Sequence, residues 1–174
     1  MIRRVCVTSV LILSSWGVAA QRPRVSPHEV HEFTLDGSTV SFDYGRPSKR
    51  GRDIWGALVP WGRWWMPGAD EATILTTAVP VLLGNSLTVP PGRHTIYMLP
   101  DRRSSTLIIN KDVGQFHTRY NPRLDLGRVE LNLRMLKEPV EQLTLAVEPR
   151  ADGQTALTLR WDDREYWVAI KRSN

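Results

Sequence analysis

Apolar and polar residues alternate in short runs along most of this chain, and turn-forming residues separate the runs. The run from Val129 to Met135 places an apolar residue at every second position, which is the pattern of a half-buried β-strand. Asp36-Gly37 lies between two such runs, and Asp-Gly in that position is the strongest short-range signal for a β-hairpin. The pattern therefore predicts an all-β, antiparallel fold.

We predict nine or ten strands arranged as an antiparallel β-sandwich, of which the jelly roll is one form. Residues 129–135 and 143–147 give two separate strand signals, and Asp162-Asp163 is typical of a turn between the last two strands. Residues 45–70 interrupt the pattern with five glycines and three prolines. Within this long loop, residues 53–59 are the one segment for which we expect a short helix of one or two turns.

The first twenty residues have the pattern of a cleaved secretory signal. Residues 1–4 are basic, residues 5–18 are mostly apolar, and small residues precede a cleavage site that we place after Ala20. We therefore expect a secreted or periplasmic protein with no membrane span after cleavage. Residues 21–29 are predicted to be an extended lead-in, and residues 30–174 a single sandwich domain.

The composition excludes several classes of protein. Of the 174 residues, 41% are hydrophobic and 24% are charged, as in an ordinary globular domain. The one cysteine, Cys6, lies inside the predicted signal, so a disulfide framework and a multi-cysteine metal site are excluded. The net charge of +5 is mild and not concentrated in the basic stripe of a nucleic-acid binder. We expect no nucleic-acid partner and no cofactor.

The long loop carries the most informative side chains of the chain. Four of its residues are tryptophans within eleven positions, and indole rings stack on sugar rings and on cations. The alternative is that the four rings pack together as a small core that lets the loop cover one end of the sandwich. The candidate ligand-binding residues in and beside the loop are Tyr44, Arg46, Arg52, Trp61, Trp64, Trp65 and Glu71.

Catalytic and metal-binding interpretations have weaker support. His28 and His31 are three residues apart, not four as in the zinc-protease motif, so we predict no metal site. A hydrolase would use Glu71 as one acid, with Asp53, Asp43, Asp70 or a histidine as its partner. The favoured alternative is that Glu71 forms a buried salt bridge with Arg46 or Arg52, because buried charges must be paired.

Several motifs in order resemble a known family. They are Tyr44-Gly45-Arg46-Pro47, then Leu58-Val59-Pro60-Trp61-Gly62, then Gly68-Ala69-Asp70-Glu71, and later Val89-Pro90-Pro91-Gly92. The chain resembles, from about Ser26 to its carboxyl end, a family of exported bacterial proteins known as domain of unknown function 2911. That resemblance implies a secreted or periplasmic β-rich domain and no particular activity. The family pattern has an arginine and an asparagine where this chain has Met66 and Asp70.

We expect a non-catalytic binding module whose ligand is a glycan or another envelope polymer. The aromatic rings would stack on the ligand, the arginines would donate hydrogen bonds, and Glu71 would orient an arginine or accept from a hydroxyl. Two alternatives stay open: a hydrolase built on Glu71, and a structural or interaction protein of the cell envelope. The structural alternative predicts buried loop tryptophans and no groove.

Overall fold

The computed structural model describes residues 25–173. The predicted signal sequence, its cleavage site after Ala20 and Cys6 lie outside these residues. The described part of the chain is almost entirely β-structure, which confirms the all-β prediction. Its one short helix is a 3-10 turn at Pro122–Leu124.

Nine strands form in residues 25–173, and their bounds follow the alternating runs. They are β1 (His28–Leu35), β2 (Ser38–Gly45), β3 (Ile74–Thr77), β4 (Val81–Leu83), β5 (Leu87–Val89), β6 (Gly92–Leu99), β7 (Ser105–Asn110), β8 (Asp125–Pro149) and β9 (Thr155–Arg172). The first strand begins at His28, inside the segment predicted as an extended lead-in over residues 21–29. All pairings between neighbouring strands are antiparallel.

The nine strands belong to one hydrogen-bonded sheet with the order β1-β2-β3-β6-β7-β8-β9-β4-β5. β8 links its two halves, because residues up to Leu131 pair with β7 and later residues pair with β9. The halves fold toward each other, so β1 and β2 pack against β8 across the core. The two halves of this one sheet take the place of the two layers expected of a sandwich.

Two predicted strand breaks are wrong. The runs at 129–135 and 143–147 are parts of the single strand β8, whose pairing with β9 shifts register on both sides of Val140. Asp162 has a left-handed φ of 52°, yet β9 continues through it. The extra residues are absorbed as bulges, which bend a strand without ending it.

The hairpin predicted at Asp36-Gly37 is confirmed. Leu35 pairs with Ser38, so the turn has two residues, and their φ values are 47° and 75°. Two consecutive positive φ values define the type I′ turn, whose twist matches that of the flanking strands.

The main core lies between the two halves of the sheet. Its largest fully buried side chains include Phe42, Tyr44, Trp161 and Tyr166. The hydroxyl of Tyr44 on β2 accepts a hydrogen bond of 2.9 Å from the backbone N–H of Leu145 on β8. This bond joins the two halves at the centre of the core.

A smaller apolar cluster covers the opposite, outer face of the sheet. Met66, Ala72, Ile74, Tyr97 and Ile108 are buried there, with Leu99 and Tyr120 packed against them. The long loop runs beside β6, where Trp65 pairs with Met98, and contributes Met66 to this cluster, and the irregular segment 111–124 contributes Tyr120. The outer face of the sheet is therefore partly covered, and its apolar residues pack as a second, smaller cluster.

Residues 53–59 form a tight turn and not the predicted helix. The N–H of Val59 donates to the carbonyl of Ile54 at 2.8 Å, a step of five residues that is wider than an α-helical bond. Gly56 has a φ of 87°, which ends any right-handed helix. A Cβ at Gly56 would also collide with the indole nitrogen of Trp61, so the turn is shaped by the ring packed on it.

Candidate functional site

Trp64 and Trp65 are neighbours in the long loop that serve opposite faces of the sheet. Trp65 exchanges two backbone hydrogen bonds of 2.8 Å with Met98 on β6, which holds the loop extended at this point. Adjacent residues of an extended chain point to opposite sides. Trp65 accordingly stacks on Trp161 of the main core, whereas Trp64 lies against Tyr97 of the outer cluster.

The outer face carries a groove beside Trp64, which we call the Trp64 groove. Its floor is a cross-strand row, because Tyr97, Ile108 and Arg128 are in register on β6, β7 and β8. Its volume of about 650 Å³ falls within the range of about 300–1,000 Å³ of small-molecule sites. The lining residues are Pro60, Gly62, Arg63, Trp64, Leu99, Ile108, Tyr120 and Arg128.

Two aromatic rings form one wall of the groove. The ring centroids of Trp64 and Tyr120 are 5.3 Å apart, and their planes are inclined by 43°. Tyr97 lies beneath both rings, at 4.6 Å from Tyr120 and 6.0 Å from Trp64. Trp64 keeps 39% of its surface exposed although it makes these contacts, so part of the ring is open to a ligand.

Hydrogen bonds fix the position of Tyr120. Its hydroxyl donates to the Asp125 carboxylate at 2.8 Å and accepts from the Arg128 guanidinium at 2.9 Å. Asn110 donates to the other oxygen of Asp125 at 2.8 Å. Burial and the hydrogen bond to Asp125 raise the pKa of Tyr120 to about 12, so its hydroxyl stays protonated at any physiological pH. The ring is therefore presented in one orientation.

The charged side chains that line the groove are both cationic. They are Arg63 from the long loop and Arg128 from β8, and neither Asp nor Glu lines it. Arg128 is bound through Nε and Nη2 to Asp125, and the pKa of Arg128 is raised by that hydrogen bond. Asp125 itself stands behind Tyr120, where its oxygens already accept from three side chains. The groove combines aromatic surface with positive charge.

The other loop tryptophans form the small core that was the alternative to a binding surface. Trp55 packs edge-on against Trp65 at 5.9 Å and stacks on Trp61 at 6.3 Å, and its Nε1–H donates to the carbonyl of Trp161. The guanidinium groups of Arg164 and Arg102 lie 4.9 Å and 5.6 Å from the Trp61 ring. Cations and indoles already cover these rings, in contrast to Trp64.

Tyr44 and Arg46 connect the core and do not reach the groove. Tyr44 has no exposed surface. Arg46 donates to the Leu143 carbonyl at 3.1 Å, to the Thr144 hydroxyl at 3.0 Å and to the Glu29 carboxylate at 2.7 Å. The hydrogen bond from Arg46, together with that from His31, lowers the pKa of Glu29. Arg46 thus ties β1 to β8 across one end of the core.

The expectation of a buried salt bridge between Glu71 and Arg46 or Arg52 is wrong. Glu71 is exposed over 48% of its side chain and lies 3.3 Å from Nδ1 of His28. Arg52 donates to the carbonyls of Lys49 and Ser48. The pairing fails because Arg46 points across the core to β8, and because short-range carbonyls satisfy Arg52.

Arg52 and Trp65 line a second cleft on another side of the loop. Its volume is about 540 Å³, and its lining also includes Arg50, Asp70 and His117. Trp161 also lines this cleft and stacks on Trp65. The candidate residues are therefore dispersed. Arg52 and Trp65 line this cleft, Tyr44 and Arg46 connect the core, Trp61 packs in the tryptophan cluster, Trp64 lines its groove, and Glu71 lies in a further cleft beside His28.

A cluster of titratable groups lies at the start of β1. Nε2 of His28 is 2.5 Å from the Asp43 carboxylate, and its Nδ1 is 3.3 Å from Glu71. Arg93 approaches Asp43 at 3.8 Å. These side chains border a small cleft of about 220 Å³. Of the partners considered for Glu71, the structure brings a histidine and Asp43 to it.

The sequence analysis missed Arg63, Tyr120 and Arg128. Arg63 directly precedes Trp64, so it could have been predicted as a site residue from its position beside a candidate tryptophan. Arg128 directly precedes the strand predicted at residues 129–135, and continuing the alternation by one residue would have placed it on the face opposite Val129. Tyr120 lies in the irregular segment 111–124, and nothing in its neighbours indicates that it meets Trp64.

Neither a metal centre nor a spanning helix is found in the part of the chain that the structure describes. Between residues 25 and 173, no group of three or more His, Cys, Asp or Glu side chains is arranged to hold a metal ion. The same residues contain no helix long and apolar enough to cross a membrane.

Comparisons with known proteins identify one relationship. A family model described as "Protein of unknown function (DUF2911)" matches residues 26–170. No curated protein matches the chain, and no solved structure matches it. The match includes β1 to β8 in full, β9 up to Ile170, and every residue that lines the Trp64 groove.

Proposed function

Since the chain belongs to the DUF2911 family, whose description assigns no activity, we propose a function from its own geometry: it is a non-catalytic module that binds a glycan in the Trp64 groove. The observation that carries the proposal is the half-open Trp64 ring beside the fixed Tyr120 ring. Sugar rings present C–H groups on their faces, and these groups pack on flat aromatic surfaces that also offer polar neighbours.

The exposure of Trp64 supports binding over a purely structural role. A structural protein of the envelope would bury its loop tryptophans and would need no groove. Trp64 instead leaves 39% of its surface open at the wall of a groove of about 650 Å³. An indole that stays partly exposed leaves apolar surface in water, and the fold loses the stabilisation that its burial would give. A ligand-binding role explains why this ring is exposed.

Binding of the mature protein to a panel of immobilised glycans and peptidoglycan fragments tests the proposal. Trp64→Ala should weaken glycan binding at least tenfold and leave the fold intact by circular dichroism. Phe116→Ala is the matched control, because Phe116 is an exposed aromatic residue outside the groove, with 52% of its surface open. Equal loss in both variants, or binding unaffected by Trp64→Ala, would overturn the proposal.

We also propose that the protein acts outside the cytoplasm. The basic start, apolar middle and small residues over positions 1–20 support export by a cleaved signal. Mass spectrometry of the protein recovered from periplasmic and culture fractions should give an amino terminus at Gln21. Recovery of the uncleaved chain in the cytoplasm would contradict this.

Hydrolysis at the His28 cluster is a second candidate function. It is favoured by one observation, the approach of Asp43 and Glu71 to opposite nitrogens of the same imidazole. Because both imidazole nitrogens are bound to carboxylates, the group that would take a proton from water is the half-exposed Glu71 carboxylate, with His28 positioning it. If the protein hydrolyses a glycan or peptide, His28→Ala should abolish turnover and leave binding at the Trp64 groove unchanged. Turnover that persists in His28→Ala would exclude the cluster.

A further inference from the structure

We propose that the Trp64 groove selects sugars that carry an anionic group, a carboxylate or a sulfate, over neutral sugars. This inference rests on the proposed glycan-binding function and names its substrate class. It follows from the charge of the groove and from the angle between its two rings.

The first observation is that Arg63 is exposed and takes part in none of the salt bridges among residues 25–173. It lines the groove beside Trp64 and is exposed. Among residues 25–173, the acidic side chains that form salt bridges do so with other cations, and none of these pairs includes Arg63. A guanidinium presents planar N–H donors that match a carboxylate or a sulfate in a two-point contact. Arg63 is therefore available to a ligand anion.

The second observation is that Arg128 is held in place at the groove by hydrogen bonds. Nε and Nη2 of Arg128 are bound to Asp125, and Nη2 also donates to Tyr120. These bonds hold the guanidinium at the groove, where 47% of the Arg128 side chain stays exposed. Because Asp125 is only 13% exposed, the ligand meets the cation and not the acid behind it.

The next acidic residue along β8 after Arg128 does not face the groove. Glu130 is two residues beyond Arg128 on β8, and its carboxylate accepts a hydrogen bond of 2.6 Å from the Ser104 hydroxyl. It does not line the groove. Two arginines with no lining acid give a positive local potential, which favours negatively charged ligands and disfavours cationic ones.

A nucleotide is another common ligand that combines a negative charge with a group that stacks on aromatic rings. The geometry of the two rings favours an anionic sugar over a nucleotide. The planes of Trp64 and Tyr120 are inclined by 43°. A flat base cannot lie parallel to both rings, and stacking of bases depends on parallel contact. A puckered sugar ring presents C–H groups in more than one direction, so it contacts both inclined surfaces.

Titration calorimetry with matched ligands tests the inference. The probes are a hexameric oligouronate, the same oligomer with its carboxyl groups reduced, and an O-sulfated form of the reduced oligomer. The wild-type protein should bind the uronate or the sulfated form at least tenfold more tightly than the neutral form, and 0.5 M salt should remove most of that preference. A single-stranded oligonucleotide is the competing ligand.

Two variants of equal net charge locate the effect. Arg63→Gln should abolish the preference for the anionic oligomers and leave weak binding of the neutral form. Arg172→Gln, at the end of β9 where it pairs with Val81, should keep the preference. Equal binding of neutral and anionic oligomers would overturn this inference while the glycan-binding function stands. Tighter binding of the oligonucleotide, or no binding of any oligomer, would overturn both.

Discussion

At the scale of single residues, the decisive feature is that two adjacent tryptophans have different roles. Trp65 completes the main core by stacking on Trp161, and Trp64 faces outward over Tyr97. The sequence predicts that the loop tryptophans matter, but it cannot say which one is open. That depends on the bridge between Trp65 and Met98, a tertiary contact with no local signal.

Stability measurements should separate these two tryptophans. Trp65→Ala removes a ring packed in the main core and should lower the free energy of unfolding by about 3–5 kcal/mol. Trp64→Ala removes a ring that is 39% exposed and should cost about 1–2 kcal/mol. Urea denaturation followed by circular dichroism measures both. A larger loss for Trp64→Ala would contradict the assignment of Trp65 to the core.

Arg46 illustrates a candidate site residue whose contacts are structural. Arg46→Ala should lower the free energy of unfolding by about 2–3 kcal/mol, because it removes a charge-assisted hydrogen bond to Glu29 and two bonds to β8. Arg52→Ala is the control, since Arg52 is exposed and bonds only to carbonyls of its own loop. It should cost less than about 1 kcal/mol. Chemical denaturation measures both variants. Equal midpoints would contradict a structural role that is specific to Arg46.

At the scale of strands and loops, local rules succeed where one face of a strand is buried. Alternation correctly predicts the two runs on either side of Asp36-Gly37, which are β1 and β2, and the turn itself follows from backbone preference alone. The same rules divide β8 and β9, because bulges near Val140 and Asp162 carry the polar residues that normally mark turns. The helix expected at residues 53–59 fails because ring packing on Gly56 decides that segment.

The long loop should be sensitive to a side chain at Gly45. This residue ends β2, and an added Cβ would collide with the carbonyl oxygen of Ala69, where the loop returns. Gly45→Ala should therefore lower the free energy of unfolding by about 1–3 kcal/mol through overpacking. Thermal denaturation followed by circular dichroism measures the change.

Gly51→Ala provides the comparison within the same loop. Gly51 has a φ of 70° and open space around its Cβ position, so only the conformational cost of about 1 kcal/mol applies. A smaller effect for Gly45→Ala than for Gly51→Ala would contradict the close approach of the two ends of the loop.

At the scale of the whole molecule, a buried ionic cluster joins β8 to β9. Glu165 is fully buried and accepts hydrogen bonds from Arg134, Arg150 and Arg160 at 2.7–3.0 Å. Burial alone would raise the pKa of Glu165, but the hydrogen bonds from the three arginines lower it below its ordinary value of 4.5. The carboxylate is therefore stabilised in its charged form.

The lowered pKa of Glu165 makes the stability of the fold depend on pH in the acid range. Because the pKa of Glu165 is lowered on folding, its contribution to stability is complete above about pH 4.5 and is lost as the pH falls further. Glu29 has a lowered pKa as well and acts in the same direction. The melting temperature should fall steeply between about pH 5 and pH 3.

Glu165→Gln tests that cluster. At pH 7 it should lower the free energy of unfolding by about 3 kcal/mol, because three arginines, two of them largely buried, lose the buried carboxylate that they share. Below pH 4.5 the difference from the wild type should shrink, since the Glu165 carboxyl of the unfolded wild-type chain then takes up a proton, and that of the folded chain does so only at lower pH. Calorimetric melting of both proteins at several pH values measures this. A difference that is constant with pH would show that Glu165 does not titrate as the account requires.

The central claim is that the Trp64 groove binds a glycan, and indole NMR signals test it most directly. Residues 25–173 contain six tryptophans, and each gives a separate ¹H–¹⁵N indole signal, with that of Trp64 assigned from the Trp64→Phe variant. Titration with the hexameric oligouronate should shift the Trp64 signal saturably and leave those of Trp65 and Trp161 in place. Unchanged signals, or a shift confined to Trp167 or Trp61, would contradict the claim.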